Sequence, residues 1–112
     1  MQYALMIYAE PGYGDALPEA EREAVQAEFH ELLGDGRVVE AARLQPAETA
    51  TSVRVVGGRT LMTDGPFADT KEVLGGFALI EAANLDDAID LAARIPVARY
   101  GGAIEIRPVV RL

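Results

Sequence analysis

The chain has 112 residues, half of them hydrophobic, no cysteine, and a formal net charge of −8 at neutral pH. That length suits one domain, residues 1–112, with a single modest core. The acidity argues against a nucleic-acid backbone or an anionic membrane surface as partner, and the missing cysteines exclude disulfides, a thiolate nucleophile and a zinc–thiolate centre.

Tyr3–Ala9 reads as a strand with two apolar faces: Tyr3, Leu5 and Ile7 on one, Ala4, Met6 and Tyr8 on the other. The opening "MQYALMIYAEPG" has no basic stretch and no small-residue cleavage pattern, so it is read as strand and not as a signal peptide. No apolar run approaches the ~20 residues of a membrane span, and the expected location is the cytoplasm. Glu10–Leu17 is a loop marked by Pro11, Gly12 and Gly14. Pro18 opens a helix that runs to about Leu33, with Val25, Phe29, Leu32 and Leu33 in its apolar stripe. Gly34-Asp35-Gly36 stops it.

Arg37–Leu44 and Ser52–Val56 follow as strands. Gly57-Gly58 is a tight hairpin signal that pairs Ser52–Val56 with Arg59–Thr63. The stretch "TDGPFADTKEVLGG" (Thr63–Gly76) reads as a long punctuated loop before a strand over Phe77–Ala82. Asn84 caps a second helix, with Asp87 three residues on in a capping-box-like pattern and Leu85, Ala88, Ile89 and Ala92 as its stripe. Pro96 ends it, and Ala103–Val109 is the last strand. The order βα, inserted β-hairpin, βαβ predicts a ferredoxin-like α+β fold: an antiparallel sheet with two helices on one face. The other face would be a large apolar patch if bare. A second copy of the sheet is the simplest cover, so a homodimer is expected, burying on the order of 800 Å² per subunit.

"TDGPFADTKEVLGGF", with "IEA" after it and "IEIRPV" near the end, resembles the DGPF subgroup of the YCII-related family. The likeness runs from "YALMIYAE" through "RLQPAETATSVRV" to "IRPV". The resemblance implies a dimeric α+β barrel. It implies little about activity: some relatives are linked to extracytoplasmic-function sigma factors, which makes a sigma factor or another protein a possible partner, and one relative removes chloride from a chlorinated hydroquinone. YCII proteins carry a His–Asp pair proposed to be catalytic. By register those positions fall near Val25 and at Ile95, both apolar here, so that chemistry does not carry over.

Candidate residues concentrate in the long loop. Asp64, where a strand enters a Gly-Pro turn, is either a loop staple accepting backbone N–H bonds within Pro66–Glu72 or a catalytic general base. The staple is the favoured reading. Lys71 can hold an anionic group or pair with Asp64 or Asp69. Glu72 faces separately from it. Phe67 is expected to anchor the loop by burial, and Gly75-Gly76 to allow close approach of a ligand or partner chain. Arg43, before a loop, and Tyr8 can line a pocket. His30 is the only histidine, lying roughly 110° from the centre of its helix's stripe at 100° per residue, and reads as a boundary residue. No metal site and no cofactor are expected. Three readings stay open: a structural dimer without a pocket, a homodimeric small-molecule-binding or regulatory module, and a cofactor-independent lyase- or isomerase-type enzyme acting through Asp64 on a small aromatic or anionic substrate. Its pocket would lie between sheet and helices or at the dimer seam.

Overall fold

The computed structural model describes residues 1–111. The chain runs β1 (Gln2–Ala9), α1 (Glu19–Leu33), β2 (Val38–Arg43), β3 (Thr51–Val56), β4 (Arg59–Asp64), β5 (Val73–Glu81), α2 (Leu85–Ala93) and β6 (Ala103–Pro108), with single 3₁₀ turns at Tyr13–Ala16, Ala47–Thr49 and Pro96–Arg99. The main sheet is antiparallel in the order β2-β5-β1-β6, and β3-β4 form a separate two-stranded ribbon. This is the ferredoxin-like α+β topology, with the two most apolar strands at the centre and the ribbon inserted between β2 and β5. Among the described residues no helix is long and apolar enough to cross a membrane.

Alternation decides which side chains meet the helices. Tyr3, Leu5, Ala78 and Ile80 are buried with Leu32 of α1, with Ala88, Leu91 and Ala92 of α2, and with Ile95 and Val97 beyond it. Ile7, Ile104 and Ile106 extend that layer. α2 is rotated from the stripe expected of it: Leu85 and Ile89 point outward, and the buried set is Ala88, Leu91, Ala92 and Ile95, spaced i, i+3, i+4, i+7. Two fixed ends set that rotation. At the start, Asn84 Oδ1 accepts from Asp87 N (2.9 Å) while Asp87 Oδ2 accepts from Ala83 N (2.9 Å), a reciprocal cap. At the other end Pro96 begins the 3₁₀ turn. Leu33, expected in the stripe of α1, is likewise exposed, and Pro18 is the N-cap of α1 instead of its first residue.

The ribbon turns on Gly57 (φ +57°) and Gly58 (φ +77°), the two successive positive φ values of a type I′ hairpin. It then leaves the body. The molecule measures 46 × 41 × 19 Å, and its Cα radius of gyration is 15.9 Å. A compact chain of this length has about 13 Å.

β5 begins four residues earlier than the sequence suggests, at Val73, and takes Gly75-Gly76 into the sheet. Gly75 sits at a bulge opposite Ile7/Tyr8. The close approach made by Gly76 is to the neighbouring strand of its own sheet: a Cβ there would lie 2.8 Å from the Ala42 carbonyl oxygen.

Candidate functional site

The punctuated loop is shorter and more open than its sequence implies, running from Gly65 to Glu72. Its root is pinned by other groups than Asp64. Gly65 N donates to Ala50 O (2.7 Å), and Ser52 Oγ donates to Gly65 O (2.8 Å). Thr70 Oγ1 donates to Glu72 O. The Asp64 carboxylate is exposed and, among the described residues, accepts no hydrogen bond, so the staple reading fails: a backbone bond and a serine hydroxyl already satisfy the turn. Asp64→Asn should therefore leave the melting temperature within about 2 °C of wild type, as neutral surface changes do. A loss of 5 °C or more in a thermal melt would restore the staple.

The remaining candidates scatter. Lys71 pairs with Glu10 at 3.6 Å, both exposed, instead of with Asp64 or Asp69, and such a pair contributes little. Glu72 is half-buried. Phe67 is not buried in its own chain: it is 74% exposed, with the Arg54 guanidinium 4.6 Å from its ring centroid. Arg43 ends β2, exposed, opposite Gly76. His30 is exposed in the last turn of α1. Tyr8 is half-buried on the sheet face away from the helices. Among the described residues no hydrogen bond or ion pair joins any two of these seven, and no group of three His, Asp or Glu is placed to hold a metal ion. Val25 and Ile95, onto which the family's proposed dyad maps, are buried and apolar.

Volume then separates the two possible pockets. The space between α1 and the sheet is only about 30 Å³, walled by Leu5, Ile7, Phe29, Leu32 and Leu91. Ligand sites run to about 300 Å³ and more, so this is a packing void. The opposite face of the sheet is open. Cross-strand register lays out its rows: Glu40, Leu79, Ala4 and Arg107 in one, then Ala42, Phe77, Met6 and Glu105, then Leu74, Tyr8 and Ala103. The centre is apolar and the charge sits on the two edge strands. Arg107 Nε donates to Glu105 Oε2 at 2.6 Å. Gln2 and Glu81 end the face, and there a recess of about 260 Å³ opens between them and Val109–Arg111. The hydroxyl of Tyr8 has no hydrogen-bond partner among the described residues and stands free for a bound polar group. Of the predicted site residues this face holds Tyr8. Phe77, Leu79, Glu105 and Arg107 share that face with it, as the alternation of their strands places them.

A second feature that sequence reading passed over is a charged cluster joining the α1–β2 turn to α2. Arg37 grips Asp35 with two bonds (Nε to Oδ1 3.0 Å, a terminal nitrogen to Oδ2 2.9 Å). Its other terminal nitrogen reaches Asp87 Oδ1 at 2.6 Å and Asp90 Oδ2 at 3.4 Å. Arg94 approaches Asp35 at 3.7 Å. The Arg37 bonds hold the Asp35 carboxyl well below the usual carboxylate range. Asp87 is lowered by the Ala83 N–H first and by Arg37 second. With every carboxylate engaged, the cluster is a structural tie and leaves no group for chemistry. A smaller tie fastens the Pro96–Arg99 turn to α1: Tyr100 donates to Glu21 at 2.6 Å, which raises the phenol's pKa, and Arg99 pairs with Glu28.

A family model described as the YCII-related domain matches residues 1–112. An uncharacterized protein of Rhizobium meliloti (strain 1021) is 36% identical over 114 residues, a span covering 97% of this chain and 92% of that protein. Among solved structures, a 5-chloro-2-hydroxyhydroquinone dehydrochlorinase from Burkholderia phenoliruptrix AC1100, in complex with 2,5-dihydroxybenzoquinone, matches with a TM-score of 0.58. That match covers 98% of this chain and 94% of the other at 15% identity, which makes it a likeness of fold.

Proposed function

Because the chain belongs to the YCII-related family, we propose that it is a homodimeric small-molecule-binding module whose ligand lies on the open sheet face, beneath a second copy. The observation that carries this reading is the asymmetry of the sheet. One face is sealed by two helices over a void too small for a ligand. The other has an apolar centre of Met6, Tyr8, Phe77 and Leu79 with charge confined to its edges. An apolar floor with a few polar groups at its rim suits a small planar ring bearing hydroxyl or carboxyl substituents. Tyr8 would meet the substituent, and Arg107 an anionic one.

Titration with 2,5-dihydroxybenzoquinone and simple aromatic acids tests the reading. Phe77→Ala removes the largest apolar group of the floor. As Phe77 is 41% exposed, the fold survives, and affinity should fall roughly tenfold or more, as for an aromatic anchor. No saturable binding of any such compound, or equal binding by the variant, would refute it. The second reading is a cofactor-independent lyase or isomerase acting through Asp64. Two things favour it: the likeness of fold to a dehydrochlorinase and the unengaged Asp64 carboxylate. Chloride release from chlorinated hydroxyhydroquinones, abolished in Asp64→Asn, would establish it over simple binding.

A further inference from the structure

We propose that the outer edge of β3 docks an extended acidic segment of another protein, one that alternates acidic and apolar residues and joins the ribbon as a third strand. The inference is independent of the open-face reading. A lone two-stranded hairpin is marginal in water at best. This one nonetheless holds Val53 and Val55 in solvent, 61% and 67% exposed, and packs substantially on no helix or strand of the main sheet among the described residues. Val56 and Arg59 flank the two-residue turn and exchange the first backbone bonds of the ladder. Bonded pairs alternate from there, so Val53 and Val55 direct their amides and carbonyls away from β4. Among the described residues no backbone group answers them. The strand has no proline, no lysine and no break in its register with β4, which are the devices that blunt an edge.

Register decides what the incoming strand must carry. Arg54 and Arg59 share one side of the ribbon, and Val53, Val55, Met62 and Asp64 share the other. In a third strand beside β3, the residues level with Val53 and Val55 meet an apolar row, and the residue between them stands level with Arg54 on the basic side. Arg54 is prepared for a carboxylate there. Its guanidinium lies over the Phe67 ring, 4.6 Å from the centroid, which fixes its plane and leaves its edge donors free. Among the described residues Arg37, Lys71, Arg94, Arg99 and Arg107 each have a carboxylate partner, and neither Arg54 nor Arg59 has one. Salt screens the acidic body from which the arm projects. The edge of β4 is the poorer one, because that strand ends in the unengaged Asp64. β3 itself holds no acid, so two copies pairing arm to arm would set Arg54 against Arg54. The occupant is therefore a different chain.

The probe is a fluorescently labelled synthetic peptide alternating glutamate and valine, titrated against the full chain. Its anisotropy should saturate. A peptide alternating lysine and valine should not bind the wild type. Arg54→Glu, an exposed position whose change leaves the fold intact, should weaken the glutamate peptide roughly tenfold, since an attraction becomes a repulsion, and should admit the lysine peptide instead. The glutamate peptide N-methylated on its valines should not bind, because strand addition needs the backbone donors that face Val53 and Val55. Absence of saturable binding by the glutamate peptide overturns the proposal, as does equal binding by its N-methylated form or by Arg54→Glu. A peptide that binds only by splitting a dimer into single copies in sedimentation also overturns it, because the edge then belongs to a second copy. The open-face reading is decided separately by the titration of Phe77→Ala.

Discussion

Gly76→Ala lowers stability by about 3 kcal/mol, the upper part of the range for forced overpacking, while Gly75→Ala, one residue earlier, leaves it within about 0.5 kcal/mol. The two glycines look alike in sequence. At Gly76 a methyl group would sit 2.8 Å from the Ala42 carbonyl oxygen and 3.5 Å from the Arg43 Cα, and both are backbone atoms held by the β2–β5 ladder. Relief requires the two strands to part. At Gly75 the nearest atom is the Ile7 carbonyl oxygen at 3.9 Å, an ordinary contact, and the smaller entropy of the unfolded alanine chain offsets what little strain arises. For a domain of this size the Gly76 variant should melt roughly 12 °C lower. Equal melting temperatures for the two variants would show that β2 yields freely, and the argument from close approach would fall.

Arg37→Ala costs about 2 kcal/mol, since it strips charged hydrogen bonds from Asp35 and Asp87 together. The Arg37 and Asp35 side chains are 22% and 19% exposed, sheltered enough that solvent does not erase the pair. The effect depends on pH in a fixed direction. Folding depresses the Asp35 carboxyl, so the folded state binds its proton less readily than the unfolded state, whose value is near 4. The stabilisation is therefore complete above about pH 5 and fades as the pH falls through 4 and below. Asp87, also lowered, adds in the same sense. Thermal melts of wild type and variant should differ by roughly 8–10 °C at pH 7, and the gap should begin to narrow below pH 4 and close only well below pH 3, because the folded carboxyl keeps its charge to much lower pH. A gap that stays constant across that range would show that the arginine acts through its aliphatic stem and not its charge.

The fold was legible because its signals are local. Alternation in Tyr3–Ala9, the Gly57-Gly58 turn and the Asn84 cap each announce an element, and their order selects the topology. The rotation of α2 was not legible, because Leu85 and Ile89 are larger than the alanines that in fact pack, and the choice is made where the Asn84–Asp87 cap and Pro96 fix the ends of the helix. The site was read less well. Unusual residues drew attention to Thr63–Gly76, but punctuation there serves the backbone: Gly76 makes room for β2, and Ser52 holds Gly65. The open face is built from ordinary residues, Phe77, Leu79 and Met6, made notable only by what fails to cover them. No spacing rule reveals a missing neighbour.

The two outer strands of the sheet have a further consequence. β2 breaks register between Val38 and Glu40, and β6 carries Glu105 and Arg107 and ends at Pro108. A kink, charges and a residue with no amide proton all discourage another strand from docking alongside. Growth by edge-to-edge addition, which would extend the sheet without limit into a fibre, is therefore discouraged at both ends. The same acidic chain that leaves a hydrophobic sheet face bare thus protects both open edges of that sheet against endless strand addition.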